Sequence, residues 1–323
     1  MNKLLFIILT LNLVILTGCA QEQQDDRPLK PPKGYANETF LKISHVLGFL
    51  DLVETEPAVP EELDEYKDIV YKELETGDLK LDIYKRKDLN GPTPVLVFIH
   101  GGGWSKGKKE DYLIYLVDFA MKGYVTVSIS YRLFDVAKFP APVQDVKCAI
   151  NWIRNNADEY MINREKMAVI GGSAGGHLTM MLAYSEEDEY TEDCDTASIQ
   201  KPQAIVDIYG PVDLTTEYAK GRGETKGLIG KLYEENPGAY KAASPVSYIS
   251  DDDPPTLIFH GTIDSLVPVS QSDSLQIWLD NAGIENEYHR LKGWPHTMDL
   301  SEDVNEYFQF YMDRFFEKHL LNE

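Results

Sequence analysis

The chain has 323 residues and carries 53 Asp and Glu against 31 Lys and Arg, which gives a formal net charge of −22. An excess of negative charge on this scale argues against a nucleic-acid partner and against charge-driven docking on an anionic membrane. The length beyond the N-terminal segment, roughly 260 residues, suits one large domain with its own core.

The N-terminal segment has the pattern of an export signal. Lys3 precedes an apolar run over residues 4–16, which is too short to span a membrane. The run leads into Leu-Thr-Gly-Cys at residues 16–19, which resembles the bacterial lipobox, in which the cysteine receives the lipid and becomes the new N-terminus. We therefore expect a signal peptide over residues 1–18, a lipid on Cys19, and a place in the bacterial cell envelope, at the outer membrane or cell surface. The alternative is a plain secretory signal with an incidental cysteine.

Residues 19–64 are predicted to form a lipidated N-terminus, a tether and a short amphipathic segment. The stretch from 20 to about 60 is polar and acidic and contains proline, except between Phe40 and Val53, where apolar residues recur. That spacing predicts a short amphipathic helix. The simplest interpretation is that this helix packs on the domain, and the alternatives place it near the site or on the membrane.

The two cysteines beyond the lipobox form no recognisable disulfide framework. Cys148 lies in a predicted helix, where we expect a small core residue, and Cys194 lies in an acidic stretch. The sequence leaves a bridge between them open. No spacing of Cys and His is typical of zinc, so no metal is expected.

From residue 65 to residue 323 the chain is predicted to form a catalytic domain of alternating strands and helices. Strands are expected at 69–74, 79–84, 95–99, 125–131, 167–170, 204–209, 256–259 and 287–291, and helices at 112–122, 143–156, 178–184, 270–281 and 304–319. This alternation predicts the α/β class, with a mostly parallel central sheet covered by helices on both faces. The pattern breaks between about 211 and 250, where we expect a small cap insert over the site.

Gly-Gly-Ser-Ala-Gly-Gly-His at residues 171–177 follows the strand at 167–170 and opens a helix. A strand that turns sharply into a helix around Gly-x-Ser-x-Gly is the nucleophile elbow, in which a strained turn exposes the serine hydroxyl. Glycines on either side let the strand and the helix pass without a clash of β-carbons. The motif predicts Ser173 as a catalytic nucleophile, and the alternative is an ordinary glycine-rich turn.

A second glycine run, His-Gly-Gly-Gly-Trp at residues 100–104, follows the strand at 95–99. Ligands bind at the C-terminal ends of the strands in such sheets. Backbone N–H groups placed there can hold the oxyanion that forms on an ester carbonyl. We therefore predict an oxyanion hole made by the N–H groups of Gly102, Gly103 and Ala174, and the alternative is a tight loop without a role.

A serine nucleophile needs a general base, and five histidines follow it in the chain: His177, His260, His289, His296 and His319. His296 is the best candidate because it lies in a loop after the last strand, whereas His177 would point away along the elbow helix. An acid must hold the base in the right tautomer. Asp264, in the loop after the strand at 256–259, is predicted in that role, with Asp213 as the alternative.

The order serine, aspartate, histidine along the chain is that of the α/β-hydrolases. Three further stretches add to it: the glycine run at 100–104, His-Gly-Thr-Ile-Asp-Ser-Leu-Val-Pro at 260–268, and Phe-Pro-Ala-Pro at 139–142. The chain from about Tyr66 onward therefore resembles α/β-hydrolases of the esterase and lipase group. It most closely resembles the feruloyl-esterase-like (BD-FAE-like) subgroup, related to hormone-sensitive-lipase-type esterases. The resemblance implies the α/β-hydrolase fold and cofactor-free hydrolysis of carboxylic esters, often on plant cell-wall carbohydrates.

Three functional interpretations follow. The first is a serine esterase acting on short-chain or carbohydrate-linked acetyl or feruloyl esters, because the predicted cap is polar. The others are a serine hydrolase on another bond, such as an exopeptidase or arylformamidase, and a non-catalytic binding module on this fold. Trp104, Tyr209 and Trp294 are candidates for lining the substrate pocket, with core packing as the alternative for each.

Overall fold

A computed structural model describes residues 28–192, 194 and 200–322. The predicted signal peptide and Cys19 lie outside the described residues. The chain from Pro31 onward forms one compact unit built on an eight-stranded sheet.

The first two neighbouring pairs in the sheet are antiparallel and all the others are parallel. The strands are β1 (Leu63–Lys72), β2 (Leu79–Arg86), β3 (Thr93–Ile99), β4 (Val125–Ile129), β5 (Ile162–Gly172), β6 (Ala204–Ile208), β7 (Thr256–Gly261) and β8 (Asn286–Leu291). They lie in the order β1-β2-β4-β3-β5-β6-β7-β8, and the β1–β2 and β2–β4 pairs are the antiparallel ones. The predicted α/β-hydrolase fold is confirmed.

Helices cover both faces of this sheet. They are α1 (Glu38–Val46), α2 (Leu113–Met121), α3 (Ala141–Asn155), α4 (Ala174–Tyr184), α5 (Glu217–Gly221), α6 (Gly223–Ile229), α7 (Pro237–Ala242), α8 (Ser270–Ala282) and α9 (Glu302–Phe316). Side chains alternate between the faces along each strand. On β3, Val95 and Val97 join the core under α3, α4 and α8, whereas Leu96 and Phe98 join the core under α2 and α9.

The segment before the sheet differs from its prediction in two ways. The helix expected between Phe40 and Val53 ends at Val46, because Gly48 turns the chain with a φ of +71°. The tether expected to run to about residue 60 is also shorter. Residues from Pro31 onward belong to the compact unit, where the Tyr35 N–H donates to the Gly293 carbonyl at 2.8 Å.

The two cysteines of the folded domain are joined. Cys148, on α3, forms a disulfide with Cys194 across a sequence separation of 46 residues. Cys148 is buried in the core, as expected, and the bridge that the sequence left open is formed. The bond ties the acidic stretch after α4 to α3.

Within the described ranges, no helix has the length and apolar character needed to cross a bilayer.

Candidate active site

Ser173 is the single residue between β5 and α4, and its backbone is strained. Its φ of 56° and ψ of −119° lie outside the regions that residues with side chains favour. The Ser173 N–H donates to the Ile208 carbonyl at 2.9 Å, so the turn is held against the end of β6. Such strain persists only where the surroundings impose it, and it is common at reactive residues.

Glycine is required where α4 passes the ends of the strands. A β-carbon at Gly175 would lie 2.0 Å from the Ile99 carbonyl oxygen, and one at Gly171 would lie 2.3 Å from the Gly175 backbone. Neither distance is possible for a real side chain. The N-terminus of α4 can therefore approach β3 and β5 only with glycine at these positions, which is the physical basis of the Gly-x-Ser-x-Gly pattern.

The structure brings together the three side chains that the sequence predicts as a triad. His296 Nε2 lies 2.9 Å from Ser173 Oγ, and His296 Nδ1 lies 2.6 Å from Asp264 Oδ2. The other carboxylate oxygen of Asp264 accepts the backbone N–H groups of Leu266 and Val267 at 2.8 and 2.9 Å. Asp264 is thus fixed by its own loop and orients the imidazole toward the serine.

His260 is a second histidine on the same acid, a contact that the sequence analysis did not predict. Its Nε2 lies 3.3 Å from Asp264 Oδ2 and 2.9 Å from the Val267 carbonyl oxygen. Burial alone would raise the pKa of Asp264, but the hydrogen bonds from His260 and His296 hold this pKa well below its ordinary value. Asp264 therefore stays a carboxylate across the pH range in which a histidine base can work.

The side chains of the other candidates for base and acid form hydrogen bonds outside the proposed triad. Asp213 Oδ1 accepts the N–H and the hydroxyl of Thr215, so it closes its own turn. His177 is fully buried, with its Nε2 2.8 Å from the Ala243 carbonyl oxygen. His289 contacts Tyr307 and Glu287 instead of the serine.

The glycine run after β3 lies directly against the elbow. A β-carbon at Gly101 would lie 2.9 Å from the Gly172 carbonyl oxygen, so only a bare backbone fits between loop and elbow. Gly102 and Gly103 follow with φ values of +102° and +61°, which glycine adopts most readily. Both residues and Ala174 line the same pocket as Ser173, and the first N–H groups of α4 have no partner within the helix.

Ser173 opens into a pocket of about 740 Å³. The predicted cap contributes one wall through α5, α6 and the residue between them, while Leu228 and Tyr240 seat the cap on the core. The remaining walls come from the segment before β1, the loop after β3 and the loops around the triad. The lining residues outside the triad and the glycine run include Thr55, Glu56, Trp104, Lys106, Lys108, Glu110, Asp111, Tyr112, Tyr209, Tyr218, Arg222, Glu224, Thr225, Leu266, Thr297, Asp299 and Leu300.

Two of the three aromatic candidates line this pocket. Trp104 does so while packing edge-on against His177, with ring centroids 5.0 Å apart, and Tyr209 lies beside His296. Trp294 does not contribute to the lining. It is 1% exposed, and its Nε1 donates to the Pro32 carbonyl at 3.1 Å, so its expected place in the pocket is wrong.

Asp299 is a further pocket residue that the sequence analysis missed. It is almost fully buried and accepts a hydrogen bond from the Tyr209 hydroxyl. Burial raises the pKa of Asp299 despite that hydrogen bond. Its position three residues after His296 was the only signal in the sequence.

Within the described part of the chain, no cluster of three or more His, Cys, Asp or Glu side chains is arranged to hold a metal ion.

Comparison with known protein families identifies the family of this chain. The BD-FAE family model matches residues 81–279, which include Ser173 and Asp264. The chain belongs to the BD-FAE family. The predicted resemblance is thereby confirmed.

The BD-FAE chain is similar to several curated esterases. It is 33% identical to Esterase LipQ of Mycobacterium tuberculosis over 234 residues, which are 69% of this chain and 55% of LipQ. It is also 33% identical to Esterase LipC of the same organism over 230 residues, 68% of this chain and 57% of LipC. The chain thus spans about half the length of the curated relatives it matches.

Solved structures agree over most of the BD-FAE chain. A truncated form of a carbohydrate esterase from gut microbiota has a TM-score of 0.72 at 27% identity, covering 84% of this chain and 99% of that one. Thermogutta terrifontis esterase 2 phosphonylated by sarin has a TM-score of 0.70 at 26% identity, covering 84% and 100%.

Proposed function

We propose that this protein is a serine hydrolase that cleaves carboxylic esters, with Ser173 as nucleophile, His296 as base and Asp264 as acid. The observation that carries the proposal is the 2.9 Å contact between His296 Nε2 and Ser173 Oγ on a strained elbow in an open pocket. A serine hydroxyl is a weak nucleophile until an adjacent base takes its proton.

The first half-reaction forms an acyl-enzyme. Ser173 Oγ attacks the ester carbonyl as its proton passes to His296 Nε2, and the negatively charged carboxylate of Asp264 stabilises the resulting imidazolium. His296 then gives that proton to the oxygen of the leaving alcohol, and the bond between this oxygen and the carbonyl carbon breaks.

The second half-reaction releases the acid. His296 takes a proton from a water molecule, which attacks the acyl carbon, and then returns the proton to Ser173 Oγ as the acyl–serine bond breaks. In both half-reactions the backbone N–H groups of Gly102, Gly103 and Ala174 are proposed to hold the oxyanion. A single donor of this kind contributes on the order of 10²–10³ in kcat.

The pocket favours a short or compact acyl group and a polar alcohol. Its mouth carries two ion pairs, Lys108 Nζ to Glu56 Oε1 at 3.2 Å and Arg222 to Glu224 Oε1 at 3.0 Å. A fatty acyl chain needs a long apolar wall, because each methylene adds roughly 0.8 kcal/mol to the binding free energy only when it is buried away from water. A sugar-bearing alcohol suits the charged mouth better, so we propose acetylated or feruloylated carbohydrates as substrates.

Two comparisons support this proposal. A carbohydrate esterase is among the similar structures, and it shares the fold over nearly its whole length. A similar esterase is phosphonylated by sarin, a reaction that suits an activated nucleophile of the kind proposed for Ser173.

The test is kcat/KM across p-nitrophenyl acetate, butyrate, octanoate and palmitate, with methyl ferulate, acetylated xylo-oligosaccharides and an aminoacyl anilide alongside. We expect acetate or butyrate to lead the acyl series, with a steep fall by octanoate, and the oligosaccharide to be deacetylated. If the rates rise through octanoate to palmitate, the proposed substrate would have to be a lipid ester and not a carbohydrate ester. Faster turnover of the anilide than of any ester would replace the esterase by an exopeptidase.

We also propose that the mature protein is a lipoprotein of the bacterial cell envelope, lipidated on Cys19. The disulfide between Cys148 and Cys194 supports export, because disulfides persist in oxidising compartments. In cells fed labelled palmitate, the wild-type protein should carry the label and fractionate with membranes, and Cys19→Ser should do neither. Equal label in both proteins would rule out Cys19 as the attachment site.

A further inference from the structure

Exposed apolar side chains are concentrated on α1, on the residues that follow it and at two positions that line the pocket. We define the apolar rim as eight of them: Phe40, Ile43, Val46, Leu47, Phe49, Leu52, Leu266 and Leu300. Among the described residues, fourteen large apolar side chains are strongly exposed, so more than half of them belong to this rim. Val46 and Phe49 are 81% and 77% exposed. A contiguous exposed apolar surface marks an interaction site, whereas scattered single residues do not.

Hydrogen bonds hold the segments that carry the rim residues next to one another. Ser265, next to Leu266, donates from its Oγ to Glu38 Oε1 on α1 at 2.7 Å. The Val53 N–H donates to the Leu300 carbonyl at 3.0 Å, and Leu52 pairs with Ser301 in a β-bridge. Leu266 and Leu300 also line the pocket, so the rim reaches the mouth itself.

Helix α1 holds the rim without burying any of its own residues. Its partly buried Leu41 packs toward the core under α9, and Leu50 after it is fully part of that core. The helix is therefore seated on the domain by a few contacts while Phe40, Ile43 and Val46 face outward. On a helix that lies in the plane of a membrane interface, an outward face of phenylalanine and aliphatic residues is the part that enters the lipid.

The chain that precedes α1 indicates what covers the rim. The domain is fixed at Pro32, whose carbonyl accepts the Trp294 Nε1 hydrogen bond, only 13 residues after Cys19. A stretch of that length reaches at most roughly 45 Å and has an average end-to-end distance of roughly 20 Å. A lipid on Cys19 would keep α1 close to the bilayer, and α1 is the first helix after that anchor.

Resting on the lipidation of Cys19 proposed above, we propose that the apolar rim is a membrane-docking surface, which inserts into the lipid interface of the bilayer that holds the Cys19 lipid. Because the chain carries a net charge of −22, docking depends on apolar insertion and not on attraction to anionic lipids. The lipid on Cys19 keeps the domain near the bilayer, and insertion of the rim fixes the orientation of the domain on it.

The test places one fluorophore on the rim and one on a matched site. Val46→Cys and Ile277→Cys each introduce a thiol at an exposed apolar position, and Ile277, on α8, lies outside the rim. Both variants are made in the mature chain from residue 19 with Cys19→Ser, and Cys148 and Cys194 are bonded to each other, so an environment-sensitive dye labels only the new cysteine. This protein is mixed with phosphatidylcholine vesicles, with and without doxyl-labelled phosphatidylcholine as quencher.

We expect the doxyl lipid to quench the dye at position 46 several-fold more than the dye at 277. Adding Phe49→Asp should reduce quenching at 46 to the level at 277, and adding Ile277→Asp should leave it unchanged. Hydrolysis of p-nitrophenyl acetate serves as the folding control, since neither labelled residue lines the pocket.

Equal quenching at the two positions, whether high or absent, would overturn the proposal. A dye at 46 that is shielded from water but not quenched by doxyl lipid would also overturn it, in favour of a second copy of the chain on the rim. The measurement needs neither ester turnover nor a lipid on Cys19, so its failure is separable from failure of the proposed function.

Discussion

The ring of Tyr209 lies 4.3 Å from the ring of His296, centroid to centroid, and its hydroxyl donates a hydrogen bond to Asp299. Tyr209 also has a φ of 47°, which is rare for a residue with a large side chain. Asp299 and His296 belong to the same loop, three residues apart. The contact therefore ties the loop that carries the proposed base to the end of β6.

From this contact we predict that Tyr209→Phe lowers kcat by about 10- to 100-fold with little change in KM. The phenyl ring still packs, but the loop loses its tie, and small misplacements of a catalytic group are costly. The matched control is Tyr184→Phe, which removes another buried hydroxyl, 2.9 Å from Thr256 Oγ1 and away from the pocket. Steady-state kinetics and thermal melts on both variants give the comparison. Equal loss of stability with unchanged kcat in both would reduce Tyr209 to a structural role.

Asp264, and not Asp213, should be the acid of the triad. Asp264→Ala should lower kcat by roughly 10⁴-fold, and adding it to Ser173→Ala should cost little more, because triad members act as a unit. Asp213→Ala removes only a turn contact with Thr215 and should retain most of the activity. A larger loss for Asp213→Ala than for Asp264→Ala would reverse the assignment.

Buried His177 should make the protein less stable in mild acid. Burial lowers its pKa to about 4, whereas an unfolded chain binds the proton near pH 6.5. Below about pH 6.5 the unfolded state therefore binds more protons, and the free energy of unfolding falls as the pH drops. The loss reaches roughly 3 kcal/mol by about pH 4.

His177→Gln removes the titrating group and keeps an N–H donor for the Ala243 carbonyl. Urea unfolding at pH 7 and pH 4.5 should show a smaller loss of stability in this variant than in the wild type. Parallel losses in the two proteins would show that His177 does not contribute to the acid sensitivity.

The disulfide should contribute about 2–4 kcal/mol to stability, since it closes a loop of 46 residues in the unfolded chain. Thiol titration of the unfolded protein should find no reactive thiol from Cys148 or Cys194 before reduction and two after it. The variant Cys148→Ala/Cys194→Ala should unfold at lower denaturant with the fold retained. Two free thiols before reduction would show that the bond does not form.

Much of the fold could be predicted from local patterns. Short apolar runs such as 95–99 and 167–170 form buried strands because a parallel sheet covered on both faces leaves no polar side. The position of Ser173 in the turn between β5 and α4 could be predicted because the close approach of α4 admits only glycine at 171 and 175, and this requirement leaves a recognisable pattern in the sequence.

What could not be predicted depends on contacts between distant residues. Trp294 lies two residues before His296, yet it packs on Tyr35 and Pro32 near the other end of the chain. Asp299 meets Tyr209 across 90 residues, and no local pattern encodes that pairing. The exposure of the apolar face of α1 could not be predicted either, because the same apolar spacing also predicts a helix packed on the core.

The most direct test of Ser173 as the nucleophile is intact-mass analysis after reaction with a fluorophosphonate, followed by peptide mapping. A single adduct should form on Ser173 in the wild-type protein. Ser173→Ala should form none and should lose ester turnover on the order of a millionfold while its melting curve is retained. An adduct on another residue, or ester turnover in Ser173→Ala within about tenfold of wild type, would contradict the proposed mechanism.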